Sequence, residues 1–149
     1  MPTYKGPQAT LPKQASNDCG NAWNDDNKVP ITVSLTTADE VILLDVPAGV
    51  RLTGLKYRNG DLDTGTALLF NLGYRSVHPD QQVAASPSYF LAASNAGQAA
   101  QAGWVDIPFD PITFQEPVQI VLKPTVSAGG LPAATNIWAV GEGRILGVV

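Results

Sequence analysis

The sequence is poor in cysteine, histidine and charge. It has one cysteine, Cys19, and one histidine, His78; 15% of its 149 residues are charged, and the net charge is −4. A single cysteine excludes an intramolecular disulfide and a multi-cysteine zinc site, and it fits a reducing cytoplasm. No basic run is present to follow nucleic-acid phosphates. Residues 1–20 lack a signal pattern, and no stretch approaches the roughly 18 apolar residues of a membrane helix. We therefore expect no contact with nucleic acid or membrane.

The rest of the composition is that of one globular domain. A chain of this length can bury about 68–70% of its unfolded surface, so a core can form without disulfides or metal. Apolar residues make up 44% of the chain, whereas the charged share falls well below the typical value of about 25%. A surface this poor in charge must be covered in another way. Contacts with a partner are one candidate, and abundant serine, threonine, asparagine and glutamine are the other.

The strongest local signal runs from Pro47 to Arg75 and predicts a long hairpin, in which a polar turn joins two strands. In the second strand the apolar residues alternate, with the period of a half-buried strand. These residues are Leu68, Phe70, Leu72 and Tyr74. In the first strand the apolar parity changes at Gly54, which predicts a β-bulge there. Lys56, Arg58 and Arg75 are expected on exposed parts of the two strands.

Further strands are predicted at 30–36, 41–46, 118–123, 136–140 and 144–149. Residues 89–101 are rich in alanine, and Pro87 suits the first position of a helix, so we predict a short helical insertion. About seven or eight strands with Gly/Pro turns, and no regular alternation with helices, favour an all-β antiparallel sandwich or jelly roll. The predicted organisation is an extended N-terminal arm at residues 1–29 and a jelly-roll-like β-sandwich body at residues 30–149.

Apolar residues are sparse in the predicted arm. The few that are present either pack onto the chain's own body or anchor it to a neighbouring subunit, since aromatic side chains make strong interface contacts. The C-terminal segment is apolar, and we expect such an end to pair in a sheet or to press against a partner. The predicted interaction residues are Tyr4, Leu11, Trp23, Ile145, Leu146, Val148 and Val149.

Residues that could carry chemistry are few and isolated. Asp61 and Asp63 lie beside Asn59 in a pattern that superficially resembles a calcium loop, but the sequence lacks the further ligands and flanking helices of such a loop. We expect the carboxylates to accept backbone N–H bonds in a turn instead. His78 and Cys19 lack the surrounding sequence of a catalytic base or nucleophile. The sequence therefore predicts no catalytic residue, metal ligand or cofactor.

A family resemblance extends from Asp45 to Ala128. It is carried by the runs DVPAGVRLTGLKYRNGDLDTGTALLFNLGYR, SYFLAA and PFDPITFQEPVQIVLKPTVSAG. They resemble small head proteins of tailed bacteriophages, the cement or decoration proteins that bind outside a shell of major capsid protein. The resemblance implies a jelly-roll or β-sandwich body, homodimers or homotrimers on the capsid exterior, and no enzymatic activity. It also implies synthesis in the host cytoplasm and reinforcement of the contacts between capsomers.

Two other functions remain open from the residues. A carbohydrate- or receptor-binding module of a virion surface would use the loops of the sandwich, and it needs an exposed aromatic platform. A hydrolase that uses His78 would need a carboxylate within hydrogen-bond reach of that ring.

Overall fold

The computed structural model describes residues 2–5, 22–78, 80 and 83–147. Within them the chain forms ten β-strands and one 3-10 turn, Ala96–Gln98. The strands are β1 (Thr3–Lys5), β2 (Ala22–Ile31), β3 (Glu40–Val46), β4 (Val50–Asn59), β5 (Leu69–Ser76), β6 (Ser86–Ser94), β7 (Val105–Asp106), β8 (Ile112–Thr113), β9 (Val118–Val126) and β10 (Thr135–Ile145). The predicted all-β class is confirmed.

The strands form two five-stranded sheets. Sheet A has the order β1-β3-β9-β5-β6, and sheet B has the order β2-β10-β4-β7, with β8 also paired to β4. The pairs are antiparallel except for β1 and β3, which are parallel. The inner faces of the two sheets enclose a shared apolar core. The described chain is therefore a β-sandwich, as the sequence predicts.

Alternating side chains from both sheets fill the core. Leu52, Leu55 and Tyr57 point inward from β4, and Phe70 and Leu72 point inward from β5. Each of these five side chains is at most 2% exposed. Burying a side chain of this size stabilises the fold by roughly 1.5–3 kcal/mol relative to leaving it exposed. The alternation in the sequence therefore determines which face of each strand is buried.

The predicted change of parity at Gly54 is a β-bulge. Glu142 of β10 lies opposite Gly54 and Gly143 lies opposite Leu52, so Thr53 is an extra residue on β4. One extra residue reverses the side that each following side chain faces, so the apolar residues on both sides of the bulge point into the core. β10 continues through this irregularity as one strand, whereas the sequence predicts two.

The predicted hairpin between residues 47 and 75 is wrong in its pairing. β4 belongs to sheet B and β5 belongs to sheet A, so the polar segment 60–68 crosses from one sheet to the other. β4 pairs with β10, while β5 lies between β9 and β6. Alternation predicts that each strand exists, but contacts with residues distant in sequence decide which strand lies beside it.

The predicted helical insertion is reduced to the 3-10 turn. Residues 86–94, which include the predicted helix start, instead form β6 at the edge of sheet A. Pro87 is compatible with this position because an edge strand has one side without a neighbour that needs its missing N–H. Alanine favours a helix locally. Pairing with β5 and the burial of Phe90, which is 5% exposed, outweigh that preference.

Part of the predicted arm belongs to the sandwich. β2 pairs with β10 along its whole length, so residues 22–29 are part of sheet B and not of an arm that ends before Pro30. β1, also within the predicted arm, adds to sheet A. Asparagine and aspartate lower the intrinsic strand propensity of residues 22–29. The long ladder of hydrogen bonds with β10 outweighs this low propensity. Residues 6–21 of the predicted arm lie outside the described residues.

Four connections cross between the sheets at one end of the sandwich, after β2, β4, β6 and β9. Backbone hydrogen bonds link these connections to one another. The Leu62 N–H donates to the Gly97 carbonyl at 3.0 Å, the Thr64 N–H to the Gly130 carbonyl at 2.9 Å, and the Ala128 N–H to the Leu35 carbonyl at 2.9 Å. We call this end the crossover end.

A buried carboxylate holds two of these connections together. Asp63, which is 2% exposed, accepts N–H bonds from Gly65 and Gly129 on Oδ1 and from Ala67 and Leu68 on Oδ2, at 2.8–3.1 Å. Burial by itself raises the pKa of this carboxyl, but the four backbone bonds outweigh burial and hold the pKa below its ordinary value. The prediction that the carboxylate caps a turn is confirmed.

Replacing this carboxylate should destabilise the whole sandwich. Asp63→Asn keeps one acceptor oxygen and turns an NH₂ group toward two backbone N–H groups, so we expect the free energy of unfolding to fall by about 2–4 kcal/mol. Urea unfolding at neutral pH measures the change. Asp61→Asn is the matched control, because Asp61 accepts one backbone N–H bond in the same turn and should cost less than about 1 kcal/mol. Equal effects of the two substitutions would contradict the assignment.

The contribution of Asp63 should also depend on pH. Its folded pKa lies below the unfolded value of about 3.9, so its stabilisation is present above that value and is lost as the pH falls through the folded pKa. The stability difference between the wild type and Asp63→Asn should therefore shrink between about pH 6 and about pH 2.5. Urea titrations of both proteins at these two pH values measure it. A difference that stays constant would mean that the charge of Asp63 contributes nothing.

Candidate functional site

The outer face of sheet B combines cations with tryptophan. Alternation in β2, β4 and β10 turns five cations outward: Lys28, Arg51, Lys56, Arg58 and Arg144. Trp138 of β10 lies among them, and Trp104, just before β7, borders them. We call this surface the basic face.

One row of the basic face stacks cations on aromatic rings. Lys28 and Arg58 lie directly opposite Trp138 in the two neighbouring ladders. The Arg58 Cζ is 4.2 Å from the Trp138 ring centroid and 5.7 Å from that of Trp104, and the Lys28 Nζ is 6.0 Å from the Trp138 centroid. The two Arg58 distances place its guanidinium within cation–π range of both indoles. The stacking holds Arg58 in a defined orientation.

A neighbouring row contains weak ion pairs. The Lys56 Nζ is 3.9 Å from Asp106 Oδ1 and 3.6 Å from Glu142 Oε1. These side chains are between 40% and 83% exposed, so solvent screens the pairs and each contributes at most about 1 kcal/mol. The row gives the face polar contacts without adding much stability.

Charge is divided unevenly over the molecule. The five cations of the basic face are more than half of the nine lysines and arginines in the chain, and the acids on this face are Asp26, Asp106 and Glu142. The face therefore carries a formal charge of +2. Because the whole chain carries −4, the remaining residues carry −6. Sheet B thus presents a positive surface on an acidic protein.

Arg75 lies elsewhere and has a different role. Its Nε donates to Glu40 Oε1 at 2.7 Å, which joins β5 to β3 across β9. The Glu40 side chain is 7% exposed and that of Arg75 is 33% exposed. The prediction of an exposed arginine is therefore only partly right, because this charge-assisted bond is largely shielded from water.

Five aromatic rings close the sandwich beside β5 and β6. They are Tyr74, Tyr89, Phe90, Phe109 and Phe114. The rings meet edge to face with centroids 4.9–6.5 Å apart, which is the favourable geometry for aromatic pairs. Burial raises the pKa of Tyr74, and Tyr89 adds to the effect. The Tyr89 hydroxyl donates to the Asp110 carbonyl at 2.9 Å. The rings contact one another, which indicates a packing role.

Of the three predicted contacts in the arm, the structure describes Tyr4 and Trp23, and both pack against the core of their own chain. Trp23 is 7% exposed and packs in the core of its own chain. Tyr4 is half-buried against the same core, and burial, with the neighbouring Asp39 carboxylate adding, raises its pKa. Leu11 lies outside the described residues. Tyr4 and Trp23 thus contact the sandwich itself.

Ile145 and Leu146, the predicted C-terminal contacts that the structure describes, lie at the end of β10 beside the turn between β3 and β4. Ile145 is partly buried, whereas Leu146 is 57% exposed. The Leu146 N–H donates to the Gly49 carbonyl at 2.7 Å. Gly49 has a φ of +83°, and a Cβ there would lie 2.8 Å from the Gly147 backbone, so only glycine allows this approach. Val148 and Val149 lie outside the described residues.

The residues considered for chemistry form no metal site in the part of the chain that the structure describes. Within the described residues, no group of three or more histidine, cysteine, aspartate or glutamate side chains could hold a metal ion. His78 is exposed at the end of β5, and Cys19 lies outside the described part of the chain. In that same part, no helix is long and apolar enough to span a membrane.

The sequence does not bring the basic face together. In the sequence, each residue of this face is simply one outward position of an alternating strand. Lys28, Arg58 and Trp138 are also separated by tens of residues. Only the register of β2 and β4 on β10 makes them neighbours. One feature of the sequence does point to this face: Trp138 alternates with apolar residues along its strand, and this alternation places its indole on the outward side.

The fold and this surface define a small β-sandwich that presents one basic, tryptophan-containing sheet face. No family model and no curated protein matches the sequence. Two solved structures share the fold along nearly the whole chain. A chain of the cyanophage Pam1 capsid asymmetric unit is 21% identical with a TM-score of 0.65, and the match covers 92% of this chain and 94% of that one. A chain of the capsid of Ralstonia phage GP4 is 16% identical with a TM-score of 0.67, covering 95% and 97%.

A third structure is a weaker match. It is a chain of the acidic stable capsid structure of Helicobacter pylori bacteriophage KHP30, with 11% identity and a TM-score of 0.47. The first two matches cover almost all of both chains. This chain therefore shares a fold with two capsid-derived chains of about its own length.

The stack of Arg58 on Trp138 should contribute measurable coupling. In a double-mutant cycle with Arg58→Met and Trp138→Leu, we expect a coupling of about 0.5–1 kcal/mol in the free energy of unfolding. Urea unfolding of the four proteins measures it. The cycle with Trp104→Leu is the control, because that ring is farther away and 47% exposed, and it should give less than about 0.5 kcal/mol. A larger coupling to Trp104 would contradict the geometry.

Proposed function

We propose that the chain is a non-enzymatic structural protein of a phage virion, which decorates the outside of a shell of major capsid protein and stabilises the contacts between capsomers. The observation that carries this proposal is the shared fold, over almost the full length of both chains, with chains of two phage capsid structures. The resemblance of residues 45–128 to cement proteins supports the same function from the sequence.

The size of the chain favours a decorating role over a shell-forming one. The matched capsid chains are about as long as this one, and the described residues form one two-layered sandwich with a single main core. Such a body offers two outer sheet faces and two ends for contacts. It suits a subunit that sits on an existing lattice, where many copies with modest contacts together bind firmly.

In the proposed mechanism the protein binds as a homodimer or homotrimer over junctions between capsid subunits. The predicted contacts of the N-terminal region and of the C-terminal end at Leu146 would extend onto neighbouring surfaces. Leu146 supports this proposal because it is a large apolar side chain that is 57% exposed. Residues Tyr4 and Trp23 would act by fixing the N-terminal region to the sandwich.

A carbohydrate- or receptor-binding module of a virion surface is the second candidate. It is favoured by Trp104, which is 47% exposed and lies beside the Arg58 guanidinium. An exposed indole next to a hydrogen-bond donor is the kind of platform on which a sugar ring can stack. Binding on a glycan panel that is lost in Trp104→Ala would support this candidate.

The capsid proposal predicts saturable binding to shells. Purified full-length protein should cosediment with shells of the phage that encodes it, prepared without the protein, and cryo-electron microscopy should show it at fixed lattice positions. We expect the same number of bound copies on every capsomer, because a symmetric lattice repeats the same binding site. Protein that stays in the supernatant at all ratios would contradict the proposal.

Leu146 allows a contact test within the same assay. Leu146→Ser should weaken shell binding by about tenfold if this side chain is buried on the shell, since burying a leucine is worth about 1.5–3 kcal/mol. Val33→Ser is the matched control, because Val33 is also exposed, at 48%, and lies at the opposite, crossover end. Equal binding of both variants would exclude Leu146 from the contact.

A further inference from the structure

We propose that the basic face is the surface through which the chain docks onto its partner, and that the partner presents a carboxylate-rich protein surface there. The identification of that partner as the capsid shell rests on the proposed function. The chemistry of the face, by contrast, follows from the described residues alone.

Charge complementarity is the first reason. The basic face carries a formal charge of +2, while the remaining residues carry −6. A partner surface rich in carboxylates attracts this face and repels the others, so one orientation is favoured. A nucleic acid fits less well, because its phosphates extend far enough to meet the acidic remainder of the molecule.

The arginine pair of β4 and β10 is the second reason. Arg51 and Arg144 lie directly opposite each other in the ladder, and both are exposed. Like charges in directly opposed positions destabilise a sheet. An external carboxylate between the two guanidinium groups would remove the repulsion and gain charge-assisted hydrogen bonds. The pair is thus unfavourable in the free protein and favourable in a complex with an acidic surface.

The orientation of Arg58 is the third reason. Its guanidinium lies over Trp138 and beside Trp104, and among the described residues no carboxylate lies within ion-pair distance of it. A guanidinium that is stacked on its face keeps N–H groups at its edge, where they can bind a carboxylate with two parallel bonds. The two indoles reduce the side-chain entropy that Arg58 would lose on binding.

The composition and size of the face suit an interface. Tryptophan and arginine are the residues most enriched at the energetic centres of protein interfaces. β2, β4 and β10 have ten, ten and eleven residues. With about 3.3 Å per residue and about 4.8 Å per strand, these three strands cover roughly 500 Å², which as one side of a contact reaches the roughly 1,000 Å² in total that a specific interface needs.

A second copy of the chain is a poorer occupant. In a symmetric dimer through this face, cations would meet cations, because both copies present the same surface. Such a contact would place Arg51, Arg58 and Arg144 of both copies together without enough acids to neutralise them. The oligomer of the proposed function would therefore form through other surfaces.

The test has one arm with shells and one arm without them. In the first, cosedimentation compares the wild type with Arg58→Gln and Arg144→Gln. We expect each variant to lose about tenfold or more in shell affinity. Lys123→Gln removes the same charge from β9 in sheet A and should change the affinity less than about twofold.

Arg144→Gln distinguishes docking from folding. Because it relieves the repulsion with Arg51, it should leave the midpoint of urea unfolding unchanged or raise it while it weakens binding. Loss of binding together with loss of stability in both variants would overturn the inference. Full binding by both variants would overturn it as well.

The second arm uses a deca-glutamate peptide and the indole N–H signals of the three tryptophans in NMR spectra. Saturable shifts are expected for Trp104 and Trp138 and not for Trp23, which is buried in the core, and the shifts should vanish in Arg58→Gln and at high salt. Peptide binding without shell binding would contradict the capsid function and support the basic face. Shell binding that is insensitive to Arg58 and Arg144, with no peptide shifts, would support the function and overturn this surface.

Discussion

The crossover end depends on one buried side chain in particular, the carboxylate of Asp63, which lies where the chain passes from β4 in sheet B to β5 in sheet A. Every residue between β4 and β5 must leave one sheet and enter the other, and such a segment exposes backbone N–H groups that no sheet can satisfy. Asp63 satisfies three of them, those of Gly65, Ala67 and Leu68, and it also accepts the N–H of Gly129 in the connection between β9 and β10. The position of the two sheets relative to each other is thereby fixed by contacts outside both sheets. The loops at the crossover end therefore have a structural role.

Features that depend on neighbours in sequence could be predicted. The bulge at Gly54 follows from a change of apolar parity, and the capping role of Asp63 follows from turn chemistry within a few residues. Features that depend on distant partners could not. β2 and β6 have poor strand composition, and each forms because a long strand offers an unpaired edge. The supposed hairpin fails for the same reason, since nothing between β4 and β5 reveals which sheet each will join.

The candidate site shows the same limit more sharply. Lys28, Arg58 and Trp138 come from three strands, and only the register on β10 aligns them. The apolar contacts that sequence composition suggested are divided by the structure: Trp23 is used inside the molecule, while Leu146 remains exposed. The low charge content of the whole chain also hides a local concentration of positive charge, because most of the lysines and arginines lie on the outer face of sheet B. Composition leaves open whether a partner or uncharged polar side chains cover the charge-poor surface, and the fold collects most of the cations on the face that we propose for docking.

The uneven division of charge, +2 on the basic face and −6 on the remaining residues, makes the molecule electrically asymmetric. In the docking that we propose, such a body would rotate in the field of its carboxylate-rich partner before it touches, so a larger fraction of encounters would be productive and association would be faster at low ionic strength. If copies docked at adjacent positions of a lattice, as we propose, the acidic remainder of each copy would repel that of its neighbours. Crowding on the lattice would then space the copies evenly, and in solution the same repulsion would oppose disordered clustering before the lattice is available.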